Sequence, residues 1–201
     1  MSNPQTPEKP EGKSISADAA EAGEIRQVRS FLARHFPGRK IKRVLFVNPP
    51  DGESDLFRFA TAVRRRYPNY PPYGLAVLAQ QARSVGVESR ILNLNHELLK
   101  ACHEAASESD FNFDQVWQKR LSDAIAEFKP DLIGITCMFT MTHESLKRVC
   151  QYAANSGVTV AIGGVHITNA MERVLNDIPV VRIAFLREAD VALKLFCRVM
   201  N

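Results

Sequence analysis

Four short stretches of the 201-residue chain gather the side chains that could do chemistry: "NPPDGE" (residues 48–53), "CMFTMTHE" (137–144), "IGGVHIT" (162–168) and "LREAD" (186–190). Gly163 and Gly164 follow an apolar run, where the lack of a Cβ lets the main chain approach a ligand closely. Free amides just beyond them would favour a phosphate or an amide-rich group. Thr136, Thr140 and Thr142 bring hydroxyls to the neighbouring stretch, for a ligand or for strand packing and helix capping. His166 stands two residues past the glycines with no cluster of ligands around it in sequence, so a hydrogen-bonding role ranks ahead of a metal or base role. Cys102, Cys137, Cys150 and Cys197 are too widely spread for a zinc, redox or iron–sulfur motif, and read as reduced, part-buried thiols.

These stretches must be held by the elements around them. Short apolar, β-branched runs at 43–48, 89–95, 131–137, 158–164 and 180–185 predict five strands. Segments of helical period at 73–86, 113–128, 142–157, 167–177 and 188–200 lie between and after them. Strands of near-continuous hydrophobicity alternating with helices predict an α/β fold, a doubly wound parallel five-stranded sheet of flavodoxin-like, Rossmann-like order. Thr142 suits the N-cap of the third helix, with Glu144 at the positive end of its dipole, and Gly157 suits the left-handed cap that closes it. Residues 1–20, rich in Pro, Glu, Ser and Lys, predict a disordered tail. Residues 21–40 predict a leader helix packed on the domain and stopped by "FPGR", and 41–201 one domain.

In such a sheet ligands bind beyond the carboxyl ends of the strands, which selects all four chemical stretches. The first connection, 48–74, is far longer than an ordinary strand-to-helix loop. Its Tyr67, Tyr70 and Tyr73 could lie against a flat ligand or fold over their own small core. No GxGxxG or GxxxxGK[ST] follows any strand, which argues against nicotinamide and P-loop nucleotides. A receiver domain would need acids where "VNPPD" and "GITCM" stand. The net charge of +4 from scattered Lys and Arg gives weak grounds for nucleic acid. With neither an apolar run of membrane length nor a signal peptide, the expectation is a soluble cytoplasmic protein without membrane or nucleic-acid partners.

Taken together, "VLFVNPP", "YPPYGLAVLAQQARSVGVESRILNLN", "KPDLIGITCMFTMTHESLKRVCQYAANSGVTVAIGGVHIT" and "READVAL" resemble the cobalamin-binding domain at the N-terminus of cobalamin-dependent radical S-adenosylmethionine enzymes. The resemblance covers about residues 41–200. It implies a flavodoxin-like cradle with the corrinoid over the strand ends and its nucleotide tail between sheet and helices. Thr136, Thr140, Gly163 and Gly164 would then lie closest to the tail, Asn48, Pro49, Pro50, Tyr73 and Gly74 would meet the lower face, and Phe139, Val165, His166 and Glu188 would stand at the pocket edge. The "DxHxxG" segment that brings a histidine to cobalt in other cobalamin domains is replaced by "NPPDGE", so the resemblance implies His-off binding and no protein metal ligand. The acidic turn that often reads GEGE is "LREAD" here, and "ILNLN" carries Asn93 where Asp is common. The "CxxxCxxC" triplet for an iron–sulfur cluster is absent, so the expectation is a corrinoid-binding domain without complete catalytic machinery. It would support methyl transfer or radical chemistry run by a radical S-adenosylmethionine or methyltransferase partner. The alternative is a non-catalytic interaction or sensory module that has lost the ligand; a less favoured reading is an enzyme using another nucleotide cofactor.

Overall fold

A computed structural model describes residues 17–36, 38 and 40–201. The chain divides into two compact units, Met1–Gly38 and Arg39–Asn201. In the first, helix α1 spans Ala17–His35. It begins four residues before the sequence pattern does, because the alanine-rich start "ADAAEAGE" has strong helix propensity despite its lack of large apolar side chains. Residues 17–20 are therefore helical rather than part of a disordered tail; the preceding sixteen lie outside the described residues. No described helix is long and apolar enough to cross a membrane.

The second unit runs β1 (Arg43–Asn48), α2 (Phe59–Val63), α3 (Tyr73–Arg83), β2 (Glu88–Asn93), α4 (Leu94–Glu104), α5 (Phe113–Phe128), β3 (Leu132–Thr136), α6 (His143–Ala154), β4 (Thr159–Gly163), α7 (Val165–Asn169), α8 (Met171–Asp177), β5 (Ile183–Phe185) and α9 (Asp190–Met200). The five strands form one sheet in the order β2-β1-β3-β4-β5, every neighbouring pair parallel. This is the flavodoxin-like order, with the switch point between β1 and β3. Gly134 lies level with Phe46 on one side and Ala161 on the other, a register that matters below.

Local chemistry fixes the element ends. Asn93 and Asn112 cap α4 and α5, their side chains accepting from the His96 amide at 3.2 Å and the Gln115 amide at 2.9 Å. Lys129 takes a left-handed φ of 48° and stops α5 before Pro130. One oxygen of Asp131 then accepts from the Lys42 and Arg43 amides, both at 2.9 Å, pinning the entry of β1 to that of β3. Gly157 closes α6 at φ 74°, as its sequence position suggests.

Three expectations are corrected. Thr142 stands at the N-cap position of α6 but its side chain makes no capping bond: its hydroxyl donates back to the Phe139 carbonyl at 2.9 Å within a 3-10 turn over Thr140–Thr142. The single helix expected at 167–177 is two, α7 and α8, broken at Ala170 (φ −134°, ψ 32°). Between β2 and β3 stand two long helices rather than one, since Leu94, Leu98, Leu99 and Cys102 bury one face of α4.

The two faces of the sheet are unlike. Leu45, Val47, Ile133, Ile135, Val160 and Ile162 point to the face covered by α4, α5 and α6, where Leu94, Leu98, Trp117, Leu121, Leu146 and Val149 complete a closed core. All four cysteines are free and buried. Burial drives the Cys197 thiol up to about 12 and Cys150 higher still, so both stay protonated and act as small apolar side chains. Leu146→Ala is expected to lower unfolding free energy by about 2–5 kcal/mol in urea titration. Val191→Ala, on the exposed side of α9, is expected to shift it by no more than about 0.5 kcal/mol.

Candidate functional site

The opposite face of the sheet is relieved rather than filled. Strands β3 and β4 present Gly134, Thr136, Ala161 and Gly163 toward α3 and α9, and these short side chains leave a cavity of about 660 Å³. Phe46 and Leu132 close its floor, Leu75, Val77 and Leu78 of α3 form one wall, and Leu193 of α9 stands opposite with Phe185 of β5. The cavity opens at the carboxyl ends of the strands, where Tyr73, Gly74, Thr136, Met138, Val165, Arg187, Glu188 and Asp190 surround the mouth. Loss of the relief would be costly locally. A Cβ on Gly134 would come within 3.2 Å of the Phe46 ring, and one on Gly164 (φ 117°) would overlap the Cys137 carbonyl.

Of the residues singled out in the sequence, Tyr73, Gly74, Thr136, Gly163, Gly164, Val165 and Glu188 line this cavity. Six others do not. Pro49 and Pro50 are buried, and the Pro50 carbonyl accepts from the Ser145 hydroxyl at 2.8 Å. Asn48 donates to Asn93 Oδ1 at 3.1 Å, tying β1 to β2 at the sheet's rim. Asn95 binds both the amide and the carboxylate of Asp51, and burial raises the Asp51 pKa. Phe139 and Thr140 are exposed outside the cavity wall. His166 faces away from it, 2% exposed.

The three loop tyrosines divide between their two readings. Tyr67 turns inward, stacking on Phe57 with centroids 5.2 Å apart while its oxygen accepts from the Arg58 amide at 2.9 Å. Tyr70 and Tyr73 are exposed, and Tyr73 stands at the mouth. The "LREAD" turn, though it has no glycine, keeps a left-handed residue: Arg187 has φ 58°, and its amide donates to Thr168 Oγ1 at 2.8 Å. That hydroxyl in turn donates to the Gly164 carbonyl at 3.2 Å, joining the two loops that flank the mouth.

Sequence reasoning missed Phe46, Ala161, Phe185 and Leu193, and did not single out Gly134 within its segment. The signal was present as period-two alternation: along β3 and β4 every large aliphatic residue except Leu132 falls on one face, and the glycines and alanine on the other. It also missed a polar chain behind the glycine turn. His143 Nε2 lies 2.8 Å from Asp177 Oδ2, Lys147 donates to the other carboxylate oxygen at 2.9 Å, and His143 Nδ1 lies 2.9 Å from His166 Nε2. Lys147 and His143 hold the Asp177 carboxyl below its ordinary pKa. The ionised carboxylate only accepts, so His143 donates to it from Nε2, and a neutral His143 accepts the Nε2 proton of His166. The chain braces α6 against α7 and α8, and so fixes the helix that begins at the mouth. His166 Nδ1 is left buried without a partner. Among the described residues no group of three or more His, Cys, Asp or Glu is placed to hold a metal ion.

Burial first, then the neighbouring His143 and Arg173, lower the His166 pKa. An unfolded histidine takes a proton near pH 6.5 and this buried one resists it, so the stability it contributes is present above about pH 6.5 and lost below. The difference in unfolding free energy between the native chain and His166→Leu is expected to shrink as pH falls from about 7.5 to about 5.5. Urea titrations across that range check this; a constant difference would refute it.

The model of the B12 binding domain family matches residues 60–196. Among curated proteins, none matches the chain. A crystal structure of "a novel cobalamin-binding protein from Desulfitobacterium hafniense DCB-2" is similar over 92% of this chain and 74% of its own length, at 16% identity and a TM-score of 0.43. The family match takes in most of the cavity wall, from Tyr73 to Leu193, together with every strand except β1. The chain therefore belongs to the B12-binding domain family.

Proposed function

We propose that the second unit holds a cobamide with its nucleotide tail in the cavity and its corrin ring across the strand ends. The observation that carries this is the relieved sheet face: Gly134, Ala161 and Gly163 clear a slot that opens at the strand ends. A cobamide is larger than the cavity, and its corrin ring is edged with amides that an apolar slot would leave unpaired. Its flat terminal base is the part that suits such a slot. The Thr136 hydroxyl at the mouth suits the ribose and phosphodiester, and Glu188 and Asp190 can accept from the corrin amides. Exposed Tyr73, Met138 and Val165 give the ring apolar surface to lie on.

The binding proposed is His-off. The unit's four histidines are all absent from the cavity wall: His96 Nδ1 is 3.0 Å from Asn69, His103 Nε2 is 2.8 Å from the Ala62 carbonyl, and His143 and His166 pair with each other. When bound, the cobamide supplies a cobalt centre able to accept and give up an alkyl group. The chain's part is to seat the cofactor and leave its upper face open to a methyltransferase or radical S-adenosylmethionine partner or domain. The rim beyond the mouth supports such contact, with Phe139 and Met141 exposed there.

Purified protein incubated with hydroxocobalamin and desalted is expected to keep the corrin visible spectrum, and its reduced cobalt(II) form to lack nitrogen splitting in the EPR spectrum. A colourless folded protein would overturn the reading in favour of an interaction module without ligand; nitrogen splitting would overturn the His-off part. Ala161→Leu, which fills the slot, is expected to weaken retention by roughly tenfold or more with little change in circular dichroism.

A further inference from the structure

The cavity changes character with depth. Side-chain polar atoms of the wall lie on Tyr73, Thr136, Arg187, Glu188 and Asp190 around the mouth and on Thr168 and Asn169 of α7, whereas Phe46, Leu78, Leu132, Gly134, Ala161 and Leu193 form a continuous apolar part of the wall. No side chain among these six carries a nitrogen or oxygen. Their main chain is also committed: Gly134 lies between paired strands on both sides, as does Ala161, and Leu78 and Leu193 lie inside helices. The one hydroxyl of α7 on the cavity wall, that of Thr168, already donates to Gly164 and accepts from Arg187. A ligand group set against these six residues, away from Asn169, finds no side-chain hydrogen-bond partner to replace the water it gave up.

Resting on the cobamide reading above, this has a consequence for which cobamide is taken. Cobamides share the corrin ring and differ in the base that ends the tail. A benzimidazole presents an apolar benzo ring at its far edge; an adenine presents an exocyclic amine and ring nitrogens. We propose that the inner sleeve makes the chain selective for cobamides ending in a benzimidazole-type base and discriminates against those ending in a purine. The selectivity arises from desolvation: both bases are flat, of similar size and share the nitrogens of the five-membered ring, but only the purine adds an exocyclic amine and six-ring nitrogens to be stranded against Phe46, Leu132 and Ala161.

The test is equilibrium binding of three probes to the full chain, read by visible absorbance: cobalamin, adeninylcobamide, and cobinamide, which lacks the nucleotide tail. Cobalamin is expected to bind roughly tenfold or more tighter than adeninylcobamide, and cobinamide to bind more weakly than cobalamin. Leu78→Gln, at a half-buried position of the sleeve, is expected to narrow the gap between the first two by giving the purine a partner. Ala161→Ser offers a smaller change in the same direction should the glutamine disturb folding. Equal affinity for cobalamin and adeninylcobamide would overturn the selectivity while leaving cobamide binding intact. Cobinamide binding as tightly as cobalamin would also overturn it, because the tail would then contribute nothing. Failure of all three to bind would overturn the cobamide reading itself.

Discussion

Everything distinctive about this sheet follows from the register that sets Gly134 between Phe46 and Ala161. A parallel sheet covered on both faces ordinarily fills each with large aliphatic side chains. Here one face does so, under α4, α5 and α6, and its closed core can hold the strands in place. The other face is then free to carry Gly134 and Ala161 at the same level on adjacent strands, with Thr136 and Gly163 level one step on. Since the helices above cannot collapse onto a sheet fixed from behind, the missing side chains become a cavity rather than tighter packing.

The mouth of that cavity is built by short-range constraint. Gly164 must lack a Cβ because the Cys137 carbonyl lies where one would go, and its positive φ turns the chain from β4 directly into α7. Thr168 then links this turn to the left-handed Arg187, and the His166–His143–Asp177–Lys147 chain ties α7 to α6 and α8. Two loops from different strands are thereby held in fixed relation around one opening. The NPPD segment contributes differently: Asn48 is met by Asn93, the Pro50 carbonyl by Ser145 and Asp51 by Asn95, so it supports the rim of the sheet.

Sequence and structure agree most closely where pattern is local. The five apolar runs, the alternation with helices and the left-handed end of α6 at Gly157 all follow from side-chain type and spacing within a few residues. The failures are equally specific. Thr142 has the chemistry of an N-cap, yet a 3-10 turn places the Phe139 carbonyl nearer to its hydroxyl than any free amide. The helix at 167–177 breaks at Ala170, a residue with no intrinsic breaking tendency, so tertiary packing on either side decides it. His166 stands beside the glycines in sequence but points to the opposite side of the turn, into the polar chain.

The sequence by itself determined the five strands, their alternation with helices and the switch-point loops, because each rests on local periodicity, and it marked Gly163 and Gly164 by their missing side chains, while Gly74, Val165 and Glu188 entered only through the family resemblance. Only the tertiary structure decided that Gly134 and Ala161 fall level on neighbouring strands, that Phe46 and Leu132 floor the slot, and that His143, Asp177 and His166 meet. Those juxtapositions join residues far apart in the chain, and strand register and helix packing, which no single segment encodes, bring them together.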